Sequence, residues 1–253
     1  MKSLKNWLLV LSVLSCFGCS SSVHEDGKGC AFVSDSIQYR VEFMSEGCVR
    51  ILSFPEGDTL VTKRLVVDSQ KPAFKDYKWK DTGQQLIFST RELSVAFDKE
   101  DAAFTFQEVS TGKLLLKEKE AKKARHFKRS VAGGEQCLEV TQRFVPTDDE
   151  AIYGLGQYQN GIMNYRGKSV LLLQANMDIV NPFLISTNGY GILWDNYSST
   201  KFEDTKEGYS FTSEVGDASD YYFVYGKNMD EVVAGYRELT GDVPMFGKWG
   251  YGF

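Results

Sequence analysis

The chain has 253 residues, of which 42% are hydrophobic, 13% aromatic and 25% charged, and its formal net charge is −5. This length allows one or two domains, and the composition is that of an ordinary folded protein. The negative charge excludes a general nucleic-acid-binding protein, because no domain-wide positive field is present to neutralise phosphates.

The start of the chain has the pattern of a bacterial export signal. Lys2 and Lys5 precede an apolar run that is too short to cross a bilayer as a permanent helix. Cys19 lies between a glycine and a serine run, as in a lipoprotein processing site, and Cys16 is the rival lipid acceptor. We expect residues 1–19 to be a signal segment. The mature protein would be exported and held by a lipid anchor, on the periplasmic or cell-surface side of a bacterial envelope.

Residues 20–35 are predicted to form a flexible tether, because the segment begins with small and polar residues and no apolar pattern. The remaining cysteines, Cys30, Cys48 and Cys137, allow at most one disulfide, and their wide spacing fits no zinc site. With two histidines in the whole chain, we expect no metal site, and no motif indicates a cofactor.

From residue 36 the dominant pattern is the alternation of apolar and polar residues that a strand with one wet face requires. Many short runs of this kind, separated by turn residues, predict a mainly β protein with a β-sandwich over residues 36–241. The predicted strands are Ile37–Phe43, Val49–Phe54, Leu86–Phe88, Leu93–Phe97, Phe104–Val109, Leu114–Leu116, Leu138–Phe144, Val170–Leu173, Phe183–Ser186, Tyr190–Trp194, Tyr209–Thr212 and Tyr221–Tyr225.

Two charge-rich segments are predicted to be solvated. Lys117–Arg129 would be a loop or edge strand, since its glutamates dilute the positive charge that a nucleic-acid or anionic-lipid patch needs. Asp148, Asp149 and Glu150 are adjacent acids before a strand, which is typical of an exposed turn.

One helix is predicted near the end of the chain. Asn228 caps it, and Glu231, three residues on, completes a capping box. Gly241 would end it in the left-handed conformation. Its apolar stripe consists of Val232, Val233, Tyr236 and Leu239.

Five ordered segments after residue 150 carry a resemblance to a known family. They are YGLGQ at Tyr153–Gln157, NPFLISTNGYGILWDN at Asn181–Asn196, DYYFVYG at Asp220–Gly226, YRELTG at Tyr236–Gly241 and WGYGF at Trp249–Phe253. Together they resemble the N-terminal region of glycoside hydrolase family 31, the family of α-glucosidases and α-xylosidases. The long second segment favours the α-xylosidase-like branch.

The resemblance implies a galactose-mutarotase-like β-sandwich and then a short helix that leads into a (β/α)₈ barrel. Residues 242–253 would begin that barrel, with Trp249–Phe253 as its first strand. Retaining glycosidases use one carboxylate as nucleophile and another as general acid/base. In the family both are aspartates of the later barrel, beyond Phe253, so we expect no catalytic residue and no turnover in this chain alone.

The resemblance also implies a loop that reaches from the sandwich over the substrate pocket. The matching loop is Leu173–Asp178, in which Asn176 and Asp178 would bind an α-linked oligosaccharide through hydrogen bonds to its hydroxyl groups. The alternative is a turn held by hydrogen bonds from these side chains to the backbone. Phe183 would form a pocket wall, with a core position as the alternative.

The leading hypothesis is therefore the N-terminal, non-catalytic domain of an exported α-glycosidase, which supports the catalytic barrel and lines substrate access. A second hypothesis is a stand-alone carbohydrate-binding lipoprotein. Its sugar platform would consist of Tyr77, Trp79, Tyr158 and Tyr165. A third is a structural lipoprotein without a ligand.

Overall fold

Two antiparallel sheets packed face to face form the protein in a computed structural model. The structure describes residues 23–58, 65–68, 72–119 and 126–252. The predicted signal segment and the lipid acceptor Cys19 lie outside these residues. Two layers of short antiparallel strands confirm the predicted sandwich.

The first sheet contains eight strands among the described residues. In spatial order they are β1 (His24–Glu25), β2 (Cys30–Ser34), β3 (Ile37–Phe43), β4 (Cys48–Pro55), β18 (Ser219–Tyr225), β15 (Tyr190–Trp194), β14 (Ile179–Ser186) and β12 (Ile152–Gln157). β1 and β2 lie inside the interval 20–35 that was expected to be a tether. That prediction was wrong for Cys30–Ser34, because Cys30 and Phe32 alternate inward and are buried in the core.

The second sheet contains ten strands in the described part of the chain. In spatial order they are β13 (Ser169–Leu172), β16 (Thr200–Thr205), β17 (Gly208–Ser213), β11 (Glu135–Val145), β9 (Leu114–Glu118), β8 (Ala103–Glu108), β7 (Leu93–Asp98), β6 (Gln85–Ser89) and β5 (Lys78–Asp81), with β10 (Phe127–Ala132) paired to β11 alongside this row.

The core between the sheets is rich in aromatic rings. Phe106 of β8 and Phe223 of β18 stack across the two sheets with ring centroids 4.1 Å apart. Phe97 also packs on Tyr39 from one sheet to the other, with ring centroids 4.8 Å apart and the ring planes tilted by 53°. Such pairs add about 0.5–1.5 kcal/mol each to the gain from burying the rings.

A single helix in the described residues, α1 (Met229–Thr240), covers the outer face of the eight-stranded sheet. The Asn228 side chain accepts a hydrogen bond from the Glu231 backbone N–H at 2.9 Å, which confirms the predicted cap. Val232 and Leu239 are buried, whereas Val233 is exposed. Gly241 has a φ of 90° and a ψ of 172°, so it keeps a positive φ but is extended rather than left-handed helical.

Gly191 of β15 lets the helix approach this closely. A Cβ atom at Gly191 would lie 2.7 Å from the Phe183 ring and 2.8 Å from a methyl group of Val232. Its role is therefore packing rather than a turn, while Gly189, with a φ of 89°, forms the turn before β15.

Residues after α1 do not form the predicted strand within the described part. Lys248–Tyr251 is a 3-10 turn closed by a hydrogen bond from the Gly250 N–H to the Gly247 carbonyl at 2.9 Å. No described strand pairs with it, and a strand edge needs a partner for its backbone groups. The aromatic side chains instead gather around Phe246.

Candidate functional site

The predicted substrate loop lies in the connection from β13 in the ten-stranded sheet to β14 in the eight-stranded sheet, and it is folded back on itself by one isolated bridge. We call this connection, residues 171–179, the hairpin. Ala175 and Asp178 face each other across the turn through backbone hydrogen bonds of 3.4 and 3.3 Å. Met177 has a φ of 67°, the sharp left-handed position of the turn, and its side chain is 64% exposed. Asn176 precedes it and is exposed as well.

The polar side chains at this tip are available to a ligand. In the described part of the chain, no hydrogen bond involves the side chain of Asn176 or Asp178, so backbone contacts alone close the turn. This differs from the alternative in which Asx-type bonds hold it. Asp178 lies near Tyr158, whose pKa is raised to about 12, first by burial and then by neighbouring groups that include Asp178.

The YGLGQ segment shapes the strand beside this hairpin. Gly154, Leu155 and Gly156 all have positive φ, and the pairing of β12 with β14 shifts register between the two glycines, as in a β-bulge. A Cβ at Gly156 would lie 2.1 Å from the Ile179 carbonyl oxygen, so only glycine fits. Leu155 itself turns into the core and is fully buried.

A cavity of about 310 Å³ lies at the base of the hairpin. The β13–β14 connection, the segment after β15 and the side chain of Tyr236 on α1 enclose it. The lining residues are Val66, Leu172, Leu173, Gln174, Val180, Asn181, Pro182, Leu193, Trp194, Asp195, Asn196, Tyr197, Ser198, Ser199, Thr200 and Tyr236.

Phe183 lies in the core rather than in this cavity. It is 5% exposed and stacks on Tyr236 with ring centroids 4.2 Å apart, between the sheet and α1. The structure therefore places it in the core alternative considered for this residue, and not on a pocket wall.

The four aromatic residues of the carbohydrate-platform hypothesis do not form one surface. Trp79 lies on β5, at one edge of the ten-stranded sheet, and Tyr77 beside it donates a hydrogen bond to Glu25. Tyr165 is buried against Phe202 near the opposite edge, and Tyr158 donates to the Leu155 carbonyl. A flat sugar platform needs its rings side by side, and these four rings are not arranged in that way.

Glu118 is a buried carboxylate inside the charged run that was predicted to be solvated. It accepts hydrogen bonds from Tyr221 at 2.6 Å, from Gln142 at 2.8 Å and from the Phe104 backbone N–H at 2.8 Å. Burial raises the pKa of Glu118 to about 7. Because Tyr221 belongs to the opposite sheet, this contact ties the two sheets together.

Glu150 is a second buried carboxylate, and here the prediction of an exposed acidic turn was wrong. It accepts hydrogen bonds from Ser186 at 2.8 Å and Tyr190 at 2.9 Å, and Tyr190 in turn contacts Tyr209 of the other sheet at 3.2 Å. Burial raises its pKa. No local sequence signal indicates this burial, because Ser186 and Tyr190, the partners of Glu150, lie 36 and 40 positions away along the chain.

Neither carboxylate is in a position to act on a sugar. Glu118 and Glu150 are 4% and 6% exposed, and their oxygens are occupied by hydrogen-bond donors inside the sandwich. A retaining pair must flank a glycosidic bond that reaches both groups. Asp148 and Asp149, next to Glu150, are exposed on the surface.

Exposed apolar side chains concentrate at two places, the hairpin beside the cavity and the segment after α1. Leu171, Leu173, Met177 and Ile179 project from the hairpin. The segment after α1 adds Val243, Met245, Phe246, Trp249 and Tyr251, and Trp249 is 86% exposed. Groups of exposed apolar side chains such as these are candidate interaction sites. We call these two groups of side chains the open end.

Other kinds of site leave no trace in the described residues. Within residues 23–58, 65–68, 72–119 and 126–252, no group of three or more His, Cys, Asp or Glu side chains is placed to hold a metal ion. The three cysteines described, Cys30, Cys48 and Cys137, are not in disulfides. No helix in the described part is long and apolar enough to span a membrane.

Comparison with known proteins assigns this architecture. Residues 38–203 match the family model of the glycosyl hydrolase 31 N-terminal galactose mutarotase-like domain. An α-xylosidase of Saccharolobus solfataricus is 34% identical over 233 residues, which cover 86% of this chain and 30% of that protein. An α-glucosidase 2 of Bacillus thermoamyloliquefaciens is 27% identical, over 88% of this chain and 29% of its own length. The chain thus spans less than a third of these relatives.

Solved structures share the same fold. A GH31 α-xylosidase from Xanthomonas citri superposes with a TM-score of 0.79 at 21% identity, over 91% of this chain and 41% of that one. A GH31 dextranase of Flavobacterium johnsoniae, complexed with isomaltotriose, superposes with a TM-score of 0.73 at 23% identity, over 92% of this chain and 29% of the dextranase.

Proposed function

The chain belongs to glycoside hydrolase family 31, and from that premise we propose that it is the N-terminal, non-catalytic domain of an exported α-glycosidase of the α-xylosidase or α-glucosidase type. It would support a catalytic barrel and line substrate access. The observation that carries the proposal is the open end, where apolar side chains of the hairpin and of residues 242–252 are exposed, and where no hydrogen bond in the described residues engages the hairpin side chains of Asn176 and Asp178.

The non-catalytic role is supported by the state of the carboxylates. Glu118 and Glu150 are enclosed between the sheets and bonded there, which suits a structural function. Hydrolysis would then belong to the barrel, and the substrate would be an α-linked oligosaccharide. Relatives named α-xylosidases and a neighbour complexed with isomaltotriose support that substrate class.

The hairpin is the part of this domain that would meet the substrate. Asn176 and Asp178 can donate to and accept from sugar hydroxyl groups, and no intramolecular hydrogen bond competes for them in the described residues. Export and a lipid anchor at Cys19 are part of the proposal and rest on the sequence pattern of residues 1–19.

A chimera tests the proposal. Residues 23–252 would replace the matching N-terminal region of the Saccharolobus solfataricus α-xylosidase, and α-xyloside hydrolysis would be measured. We expect an active enzyme in which Asn176→Ala with Asp178→Ala raises KM about tenfold, since each lost hydrogen bond costs about 0.5–1.5 kcal/mol. Asp149→Ala, an exposed acid away from the hairpin, should leave KM unchanged. Equal KM values for the parent chimera and both variants would show that the hairpin does not meet the substrate.

A further inference from the structure

The cavity at the base of the hairpin has the size of a small-ligand site. Its volume of about 310 Å³ corresponds to about ten water molecules at about 30 Å³ each, which is room for one sugar ring. Its floor is apolar, with Leu172, Val180 and Leu193, and the edge of the buried Trp194.

Tyr197 forms an aromatic wall that is fixed in place. Its ring is 55% exposed, while its hydroxyl group accepts a hydrogen bond from the Leu65 backbone N–H at 2.8 Å and is also bonded to Asp195. Because the hydroxyl is engaged on both sides, what Tyr197 offers a ligand is the face of its ring. A ring held in advance loses little conformational entropy when a ligand stacks on it.

Two side-chain amide groups of the lining are also held in place by hydrogen bonds within the protein. The Gln174 side-chain oxygen accepts from the Val180 N–H at 3.1 Å, and the Asn181 oxygen accepts from the Tyr236 hydroxyl at 3.3 Å. Each carbonyl is therefore occupied, and no hydrogen bond in the described residues uses either NH₂ group. The cavity thus has two placed donors that call for oxygen acceptors on a ligand.

We propose that this cavity binds one saccharide unit, whose apolar face stacks on Tyr197 and whose hydroxyl oxygens accept hydrogen bonds from Gln174 and Asn181. A purely apolar ligand would leave both amides without partners, at a cost for each. An anion would find Asp195 and, among the lining residues, no lysine or arginine. This inference deepens the proposed function and rests on it for the choice of α-linked sugars as ligands.

The experiment is a nuclear magnetic resonance titration of the full chain with methyl α-xyloside and with isomaltose. We expect saturable shifts of the Gln174 and Asn181 side-chain amide signals and of the Trp194 indole signal at millimolar ligand. Tyr197→Ala should raise the dissociation constant at least tenfold. Cyclohexanol, a ring of similar size with one hydroxyl group, should bind more weakly than either sugar.

Two further variants keep the result decisive if Tyr197→Ala fails to fold. Tyr197→Phe retains the ring, so its dissociation constant should stay within about threefold of that of the unsubstituted protein. Gln174→Ala should raise the dissociation constant. Absence of saturable shifts, an unchanged constant in Gln174→Ala, or equal binding of cyclohexanol would each overturn the inference. Asp149→Ala, at an exposed position outside the cavity lining, should leave this constant unchanged. The chimera experiment tests Asn176 and Asp178, which do not line the cavity, so each of the two proposals can fail without the other.

Discussion

Inside the sandwich, Glu118 accepts hydrogen bonds from both sheets and Glu150 accepts them from Ser186 and Tyr190 of the eight-stranded sheet. In the hairpin of the open end, the side chains of the exposed Asn176 and the half-buried Asp178 make no hydrogen bond in the described residues. The same contrast holds for apolar groups. Phe106 and Phe223 are fully buried against each other, while Trp249 and Met177 are largely exposed. Glu118 and Glu150 have hydrogen-bond partners within the protein. The polar and apolar groups of the open end are available to a ligand or a partner.

This difference separates the residues that specify the fold from those that serve a partner or ligand. A buried polar group without a partner costs free energy, so the closed parts of the molecule pair such groups. An exposed apolar patch gains from being covered, so it persists where association is useful. Substitutions in the two regions should therefore differ in what they change.

The largest effect is expected at Arg50. It is 2% exposed on the outer face of β4 and is held by Asp220 through two hydrogen bonds and by Glu42 at 3.0 Å. Arg50→Ala removes the guanidinium from the buried Asp220 and leaves Glu42 with the Arg40 ion pair at 2.6 Å, so it should lower the free energy of unfolding by about 3–5 kcal/mol in urea denaturation. Arg91→Ala removes an exposed ion pair with Glu46 and should cost less than about 1 kcal/mol. Equal losses would contradict the distinction between buried and exposed pairs.

Glu118 should make stability depend on pH. Its pKa is about 7 in the folded protein against 4.5 for the ordinary group, so folding favours the protonated form. The stabilisation is complete below about pH 4.5 and is lost as the pH rises through 7. From the roughly 2.5-unit difference, the free energy of unfolding should fall by about 3 kcal/mol over this range.

Urea denaturation at several pH values checks this expectation with two variants. Glu118→Gln should remove most of the decrease between pH 4.5 and 7, leaving the smaller part due to Glu150, whose pKa is also raised. Glu135→Gln, at an exposed position, should leave the decrease intact. A pH dependence that survives in Glu118→Gln would assign it to another group.

A substitution in the glycine bulge of β12, beside the hairpin, should have an intermediate effect on the free energy of unfolding. Gly156→Ala forces a Cβ within 2.1 Å of the Ile179 carbonyl at a φ of 121° and should cost about 2–3 kcal/mol in the free energy of unfolding. Gly161→Ala, at a φ of 69° with no atom within 4 Å, should cost about 1 kcal/mol. Similar losses in the two variants would mean that backbone conformation, and not the approach of β14, requires glycine.

Local patterns were sufficient to predict most strands and the helix. Alternation over Ile37–Phe43 gave the strand bounds found in the structure, and the Asn228 cap is made as predicted. Strands such as β2 and β16 were not predicted, because short strands next to polar or small residues carry little periodic signal.

Long-range contacts account for the other errors. Glu118 lies in a mixed-charge run and Glu150 in an acidic one, and only their contacts with the sequence-distant Tyr221 and Tyr190 show why these two carboxylates are buried. The cavity could not be predicted either. It joins residues 66, 172–174, 180–182, 193–200 and 236, which approach one another only through the sheet order and the position of α1.

The smallest effect on stability, and the most specific for the open end, is expected at the hairpin. Leu173→Ser with Ile179→Ser replaces two exposed apolar side chains and should change the free energy of unfolding by no more than about 0.5 kcal/mol per site. The same variant should reduce self-association of the isolated chain in sedimentation velocity, because uncovered apolar surface drives it. Ile192→Ala, fully buried, should instead lose about 2–5 kcal/mol. If the hairpin variant were destabilised as strongly as Ile192→Ala, these side chains would be part of the core and the open end would not be a surface kept for a partner.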